Sequence, residues 1–158
     1  MKILKKVMFL AFAVFALALS SCSSDDSSDG NQTEEDYIKF KYKGTTYTFD
    51  SGYQSSGGSI QVIGMTGQDD AHTRIVLWLP INPTVGSHTV VDDIGSTGET
   101  YQATFIFMGT DNSFNATAGT IKITANNSKR IEGTFNFSGT LNGETAQVTE
   151  GKFSISQF

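Results

Sequence analysis

Apolar and polar residues alternate with a period of two along most of the chain after residue 36, and this pattern predicts β-strands. The clearest case is the segment YIKFKYKGTTYTFD, in which Lys43-Gly44 can form a two-residue turn. Because a slip of one residue would turn the apolar side chains outward, we expect a fixed register. The turn pairs Ile38 with Phe49, Phe40 with Tyr47 and Tyr42 with Thr45 on one face, and Lys39 with Thr48 and Lys41 with Thr46 on the other.

Further alternating segments follow at regular spacing. SIQVIGM and TRIVLWLP predict a second hairpin around a loop at 66–72. Residues 75–79 are apolar on both faces, which indicates a strand covered on both sides or one whose Trp78 meets a partner. The segments SHTVVD, TYQATFIFM, GTIKITA and RIEGTFNFSG predict four more strands, whereas SGYQSSGGS is typical of a flexible loop.

The last predicted strand contains a conflict of phase. Ala146 and Val148 occupy even positions, whereas Phe153 and Ile155 occupy odd positions, so a regular strand cannot bury both pairs. A β-bulge near Glu150-Gly151, with the glycine at positive φ, would bring both pairs inside.

These elements predict an all-β domain over residues 37–158, which is long enough for one hydrophobic core. About eight or nine strands favour a single antiparallel β-sandwich or a flattened barrel. We find no window in which apolar residues recur at helical spacing behind a helix-start signal.

The residues before this domain predict export. Lys2, Lys5 and Lys6 precede an apolar run at 7–19, so residues 1–21 are interpreted as a signal peptide. The alternative is a transmembrane helix, but thirteen helical residues span only about 20 Å, less than a hydrocarbon core of about 30 Å.

Leu19-Ser20-Ser21-Cys22 resembles the bacterial lipobox. The resemblance implies that the Cys22 thiol receives a diacylglycerol, that cleavage occurs before Cys22, and that a fatty acid such as palmitate acylates the new amino terminus. The alternative is an ordinary cleavage site followed by a free thiol. Cys22 is the only cysteine, so the exported chain has no internal disulfide.

Residues 22–36 are predicted to be the lipidated cysteine and a disordered tether. SSDDSSDGNQTEED has six acidic residues, and none that is basic, aliphatic or aromatic. The acidic run also resembles the surface-export signal of lipoproteins in the Bacteroidetes. That resemblance implies an outer-membrane lipoprotein at the cell surface, held to the membrane through Cys22.

Most of the negative charge belongs to this tether. The net charge of −5 becomes −8 without the signal peptide, yet residues 37–158 have ten acidic and eight basic residues. A nucleic-acid surface needs clustered Lys and Arg, so we expect no nucleic-acid partner.

The segments AGTIKITANNSKRIEGTFNFSGTL and VTEGKFSI resemble the closing half of a family of small Bacteroidetes lipoproteins, known only as a domain of unknown function. The resemblance implies a lipid-anchored β domain and brings no catalytic residues. The matching positions are Gly119, Ile121, Ile123 and Thr124, then Arg130, Ile131, Gly133, Thr134, Phe135 and Phe137, then Gly151, Lys152 and Phe153.

Few residues indicate chemistry. His72 and His88 lie near Asp69-Asp70 and Asp92-Asp93, so a metal site is conceivable if the two loops meet. We favour solvated loops, because no ligand spacing recurs on one element, and expect neither a metal nor a cofactor. The chain has no Gly-x-Ser-x-Gly elbow, which disfavours a hydrolase.

Tyr53 and Trp78 are the candidate ligand contacts, because exposed aromatic rings stack on sugars or pack on proteins. For Trp78 we favour core packing, so Tyr53 is the better candidate for an exposed contact. The sequence therefore predicts a non-catalytic lipoprotein that contacts an envelope protein or glycan. A carrier of small molecules or glycans with a barrel cavity is the alternative, and an enzyme is the weakest hypothesis.

Overall fold

The structure, a computed structural model, describes residues 35–56, 58–66, 72–92 and 98–157. The predicted signal peptide, Cys22 and the tether as far as residue 34 lie outside the described residues, as do Asp69-Asp70 and Asp93. In the described ranges, no helix is both long enough and apolar enough to cross a membrane.

In the described residues, ten strands form one curled antiparallel sheet in the order β5-β8-β9-β10-β1-β2-β3-β4-β6-β7. The sheet is a half-barrel, so the predicted all-β fold of the sandwich or flattened-barrel type is confirmed. The strands are β1 (Tyr37–Tyr42), β2 (Thr45–Ser56), β3 (Ser59–Met65), β4 (Arg74–Pro80), β5 (Gly86–Thr89), β6 (Gln102–Ile106), β7 (Ser113–Asn115), β8 (Ala118–Asn126), β9 (Arg130–Leu141) and β10 (Glu144–Ser156), with a 3₁₀ turn at Thr110–Asn112.

The flexible loop predicted for SGYQSSGGS is wrong for most of its length. β2 continues to Ser56 and pairs with β3, from Ser51 opposite Gly64 to Ser56 opposite Ser59. Serine and glycine have low β-propensity, but the β3 backbone supplies the partner groups that keep this segment extended. The short β7 accounts for the tenth strand.

Both predicted hairpins are confirmed. β1 and β2 pair in the expected register, with Phe40 opposite Tyr47. Lys43 and Gly44 have φ values of 49° and 79°, and a two-residue hairpin turn of type I′ requires positive φ at both positions. In the second hairpin, Val62 of β3 lies opposite Leu77 of β4.

The concave side of the sheet is filled by apolar and aromatic side chains. Phe40, Tyr42 and Phe105 are at most 1% exposed. The ring centroids of Tyr42 and Phe105 are 4.7 Å apart, and those of Phe40 and Phe105 are 5.5 Å apart, both with edge-on geometry. Such aromatic contacts add to the stability gained by burial.

The predicted irregularity in the last strand is confirmed, and its cause differs from the expectation. Val148 and Phe153 are both buried, and the register of β10 shifts between Val148 and Gly151. The residue at positive φ is Glu150, at 51°, so the prediction for Gly151 is wrong. Gly151 serves another purpose, because a Cβ there would collide with the ring of Phe135.

An ion pair holds the end of the predicted tether on the sheet. Arg130 Nη2 donates to Asp36 Oδ1 at 2.9 Å, and Ser156 donates to the same oxygen from its amide at 2.8 Å and its hydroxyl at 2.9 Å. The Arg130 side chain is 12% exposed. The folded contacts therefore include Asp36, one residue before the expected domain start, and we call this set the Asp36 clasp.

The two ends of the sheet approach each other beside β5 and β6. The amide of Val90 donates to Gly119 O at 3.0 Å, and the amide of Val91 donates to Tyr101 O at 3.0 Å. At the neighbouring edge, the Ala116 amide donates to Ala103 O at 2.8 Å. These bonds link residues beyond the regular ladders.

Candidate functional site: the outer face around Trp78

Trp78 lies on the outer face of the sheet rather than in its core. Ile75, Leu77 and Leu79 of β4 are completely buried in the core, so the alternating residues Val76 and Trp78 face the other way. Core packing, the interpretation favoured for Trp78 from the sequence, is therefore wrong. The indole is half-buried.

Two glutamines flank this ring on the neighbouring strands. Gln61 of β3 and Gln102 of β6 are the direct cross-strand partners of Trp78. They are 8% and 5% exposed, and the Gln102 side-chain amide donates to Thr100 Oγ1 at 2.7 Å. We call Gln61, Trp78 and Gln102 the Trp78 platform. Its amides lie beside one aromatic ring.

The platform contains an unused hydrogen-bond donor. Within the described part of the chain, the Trp78 Nε1–H is buried and has no acceptor. On the same face of β4, the Nε of Arg74 is also buried without a partner. A buried donor without an acceptor costs about 1–3 kcal/mol, so both donors reduce the stability of the fold.

The second predicted contact, Tyr53, is on β2 rather than in a loop. The Tyr53 backbone lies opposite Val62 of β3. In the sheet order, β2 is three strands from β6, which carries Gln102 of the Trp78 platform. The Tyr53 side chain lies outside what the structure describes, so its role as a contact stays a prediction.

His88 belongs to a stacked pair near the meeting ends of the sheet. Its ring lies 3.9 Å from that of Tyr101 at an interplanar angle of 4°, and its Nε2 donates to Thr84 O at 2.7 Å. Burial raises the pKa of the Tyr101 phenol above its ordinary value of 10.0, and hydrogen bonds with Thr84 offset part of the rise. These contacts fix the His88 ring.

The two histidines contact opposite ends of β6. His88 stacks on Tyr101, directly before β6, whereas the carbonyl of His72 accepts from Gly109, three residues after β6. Five strand residues extend about 17 Å, so the structure does not bring the histidines into one site. Among the described residues, no group of three or more His, Cys, Asp or Glu side chains could hold a metal ion.

A shallow depression of about 190 Å³ lies over β8, β9 and β10. Gly119 contributes no side chain there, and the β10 bulge begins beside it. Its polar lining is uncharged, and its size is below that of typical drug-sized ligand sites. The residues that line it are Ala118, Gly119, Asn136, Phe137, Ser138, Gln147, Val148 and Thr149.

Comparisons with protein-family models, with curated proteins and with solved structures find no match for this chain. The resemblance to small Bacteroidetes lipoproteins therefore stays a prediction from the sequence, as does lipidation of Cys22.

Proposed function

We propose that this chain is a lipid-anchored lipoprotein of the cell envelope, and that its β domain is a non-catalytic binding module at the outer membrane. Leu19-Ser20-Ser21-Cys22 supports the anchor, and the acidic residues after it support exposure at the cell surface. The resemblance to Bacteroidetes lipoproteins supports the same combination of tether and β domain.

The observation that carries the binding role is the Trp78 platform. A half-buried indole placed between two glutamines offers a ring for stacking and side-chain amides for hydrogen bonding. This chemistry suits a glycan or a polar protein surface. The filled core favours such a surface contact over the alternative of a carrier, because Phe40, Tyr42 and Phe105 occupy the concave side of the sheet.

Trp78 is the only tryptophan, so its fluorescence reports directly on the platform. We expect envelope polysaccharide or envelope protein fractions to shift the emission of the chain from Cys22 to Phe158, prepared with Cys22→Ser. Trp78→Phe should retain part of the binding measured by calorimetry, and Trp78→Ala should lose it. Unchanged affinity in the alanine variant would exclude the platform as the contact.

The anchor is tested separately by replacing Cys22. Cells that express Cys22→Ala should release the protein from the membrane fraction, and the variant should no longer incorporate a labelled fatty acid. Ser21→Ala is the matched control, because a small residue before the cysteine fits the same motif. Membrane retention of Cys22→Ala equal to that of the native chain would show that the anchor is absent.

A further inference from the structure

Three lysines from distant parts of the sequence form one row across the outer face. Lys39 of β1 lies opposite Lys152 of β10, Lys152 lies opposite Thr134 of β9, and Thr134 lies opposite Lys122 of β8. All three lysines are exposed and lie at outward positions. Strands are about 4.8 Å apart, so the row extends for about 14 Å. We call Lys39, Lys152 and Lys122 the lysine row.

Within the described residues, the lysine row has no ionic partner. Like charges placed directly opposite each other on neighbouring strands are destabilising, and Lys39 and Lys152 are such a pair. The ion pairs of the described residues involve Lys41 with Glu150, and Arg130 with Asp36 and Glu132. In the part of the chain that the structure describes, the row therefore presents three unpaired ammonium groups in a line.

Hydroxyl groups extend the same line of cross-strand partners. Thr48 is the partner of Lys39 on β2, Thr134 lies between Lys152 and Lys122, and Ser87 is the partner of Lys122 on β5. Ammonium and hydroxyl groups are both hydrogen-bond donors to oxyanions. The surface is open and extended, which fits a linear ligand rather than a small ion.

We propose that the lysine row binds a linear polysaccharide that carries regularly spaced carboxylate or sulfate groups. This inference rests on the proposed role of the domain as a binding module and adds a ligand class and a second contact surface to it. The row supplies the charge recognition, and the Trp78 platform lies on a separate part of the sheet, four strands from β10.

The neighbouring charges favour a narrow polymer over a membrane surface. A parallel row of cross-strand partners, two residues from the lysine row along β1, contains two carboxylates. Asp50 of β2 lies opposite Tyr37, and Glu132 of β9 lies opposite Ser154. A membrane would cover both rows and would bring these carboxylates against anionic headgroups. A single polysaccharide chain along the lysine row contacts the ammonium groups and leaves the carboxylates in water.

The test measures binding of the chain from Cys22 to Phe158, with Cys22→Ser, to dextran sulfate, to polygalacturonate and to uncharged dextran. We expect binding to one or both polyanions, no binding to dextran, and an affinity that falls with salt with a log–log slope of about three. Lys39→Gln/Lys152→Gln should weaken polyanion binding by about tenfold or more. The two anionic polymers distinguish sulfate from carboxylate recognition.

Lys43→Gln/Lys129→Gln is the matched control, because it removes the same charge from two turns outside the row. An equal loss of affinity in the control, or equal binding to uncharged dextran, would overturn the proposal. So would tighter binding to vesicles of phosphatidylcholine and phosphatidylglycerol in equal parts, which would indicate a membrane surface.

Thermal unfolding checks that the variants fold. The Lys39→Gln/Lys152→Gln variant should be at least as stable as the native chain because a repulsion is removed.

Trp78→Ala separates this proposal from the function proposed above. Retained polyanion binding in Trp78→Ala, with loss in the lysine-row variant, supports the row even if the Trp78 platform has no ligand. Loss of polyanion binding only in Trp78→Ala would contradict the row.

Discussion

The ring of Phe135 packs directly against the backbone of Gly151, its cross-strand partner in the β9–β10 ladder. Gly151→Ala would place a Cβ within the space of that ring, so we expect a loss of about 1–3 kcal/mol in the free energy of unfolding. Gly52→Ala is the control, because its Cβ would meet no atom closer than 3.9 Å. Urea unfolding of both variants measures the difference, and equal stabilities would contradict the packing explanation.

Tyr42 buries a hydroxyl that has no hydrogen-bond partner in the described part of the chain. Removing it avoids a desolvation penalty, so Tyr42→Phe should leave stability unchanged or raise it by about 1 kcal/mol. Tyr101→Phe is the contrasting variant and should destabilise, because the Tyr101 hydroxyl bonds with Thr84. A clear loss of stability in Tyr42→Phe during urea unfolding would show that its hydroxyl has a partner.

The Asp36 clasp should contribute to stability although it lies at the edge of the domain. Asp36→Ala removes the acceptor of Arg130 and Ser156 and should cost about 1–2 kcal/mol, which corresponds to about 5 °C in the melting temperature. Glu35→Ala is the control, because Glu35 contacts Arg130 through its backbone carbonyl. Calorimetric melting curves that do not distinguish the two variants would indicate that the clasp is not stabilising.

The tether before Glu35 should not affect the fold. Its residues lack apolar side chains, so a chain that begins at Glu35 should melt within about 2 °C of the chain that begins at Cys22. A chain that begins at Tyr37 should melt lower, because it lacks the carboxylate of the clasp. A large difference between the first two chains would mean that the tether packs on the domain.

Stability should fall in strongly alkaline solution through Tyr101. Its pKa is raised in the folded chain, so the unfolded chain loses the phenol proton first as the pH rises above 10.0. The contribution is therefore complete below pH 10 and decreases above it. Tyr101→Phe should show a smaller decrease in unfolding free energy between pH 9 and pH 11, and parallel pH profiles would refute this assignment.

Local patterns predicted much of the fold. The register of the first hairpin follows from the alternation of apolar and polar residues, which places Phe40 opposite Tyr47. The β10 bulge follows from the positions of Val148 and Phe153, which are both apolar but are separated by an odd number of residues. The continuation of β2 to Ser56 was missed, because its strand state depends on pairing with β3 rather than on its own propensity. Positive φ was wrongly assigned to Gly151 for a similar reason. A glycine is required at this position because the ring of Phe135, sixteen residues away in the sequence, leaves no space for a Cβ.

The candidate sites were less accessible to sequence reasoning. Trp78 was named as a candidate contact, but core packing was favoured for it, because a strand that is apolar on both faces does not show which face is the core. The lysine row was missed, because Lys39, Lys122 and Lys152 are far apart in the chain and each appears as a single outward residue. The alternation in each strand showed that these lysines point outward, but only the strand order places them in one line.

The position of β10 in the sheet also determines when the chain can fold. The C-terminal strand lies between β9 and β1 and joins the group β5, β8 and β9 to the remaining six strands. For a chain that crosses a membrane N-terminus first, as the signal peptide predicts, the sheet cannot be completed until residues 144–156 have emerged. Pairing of β1 with a strand more than 100 residues away also makes closure slow. The strand order thus delays completion of the sheet until residues 144–156 are available to pair with both β9 and β1.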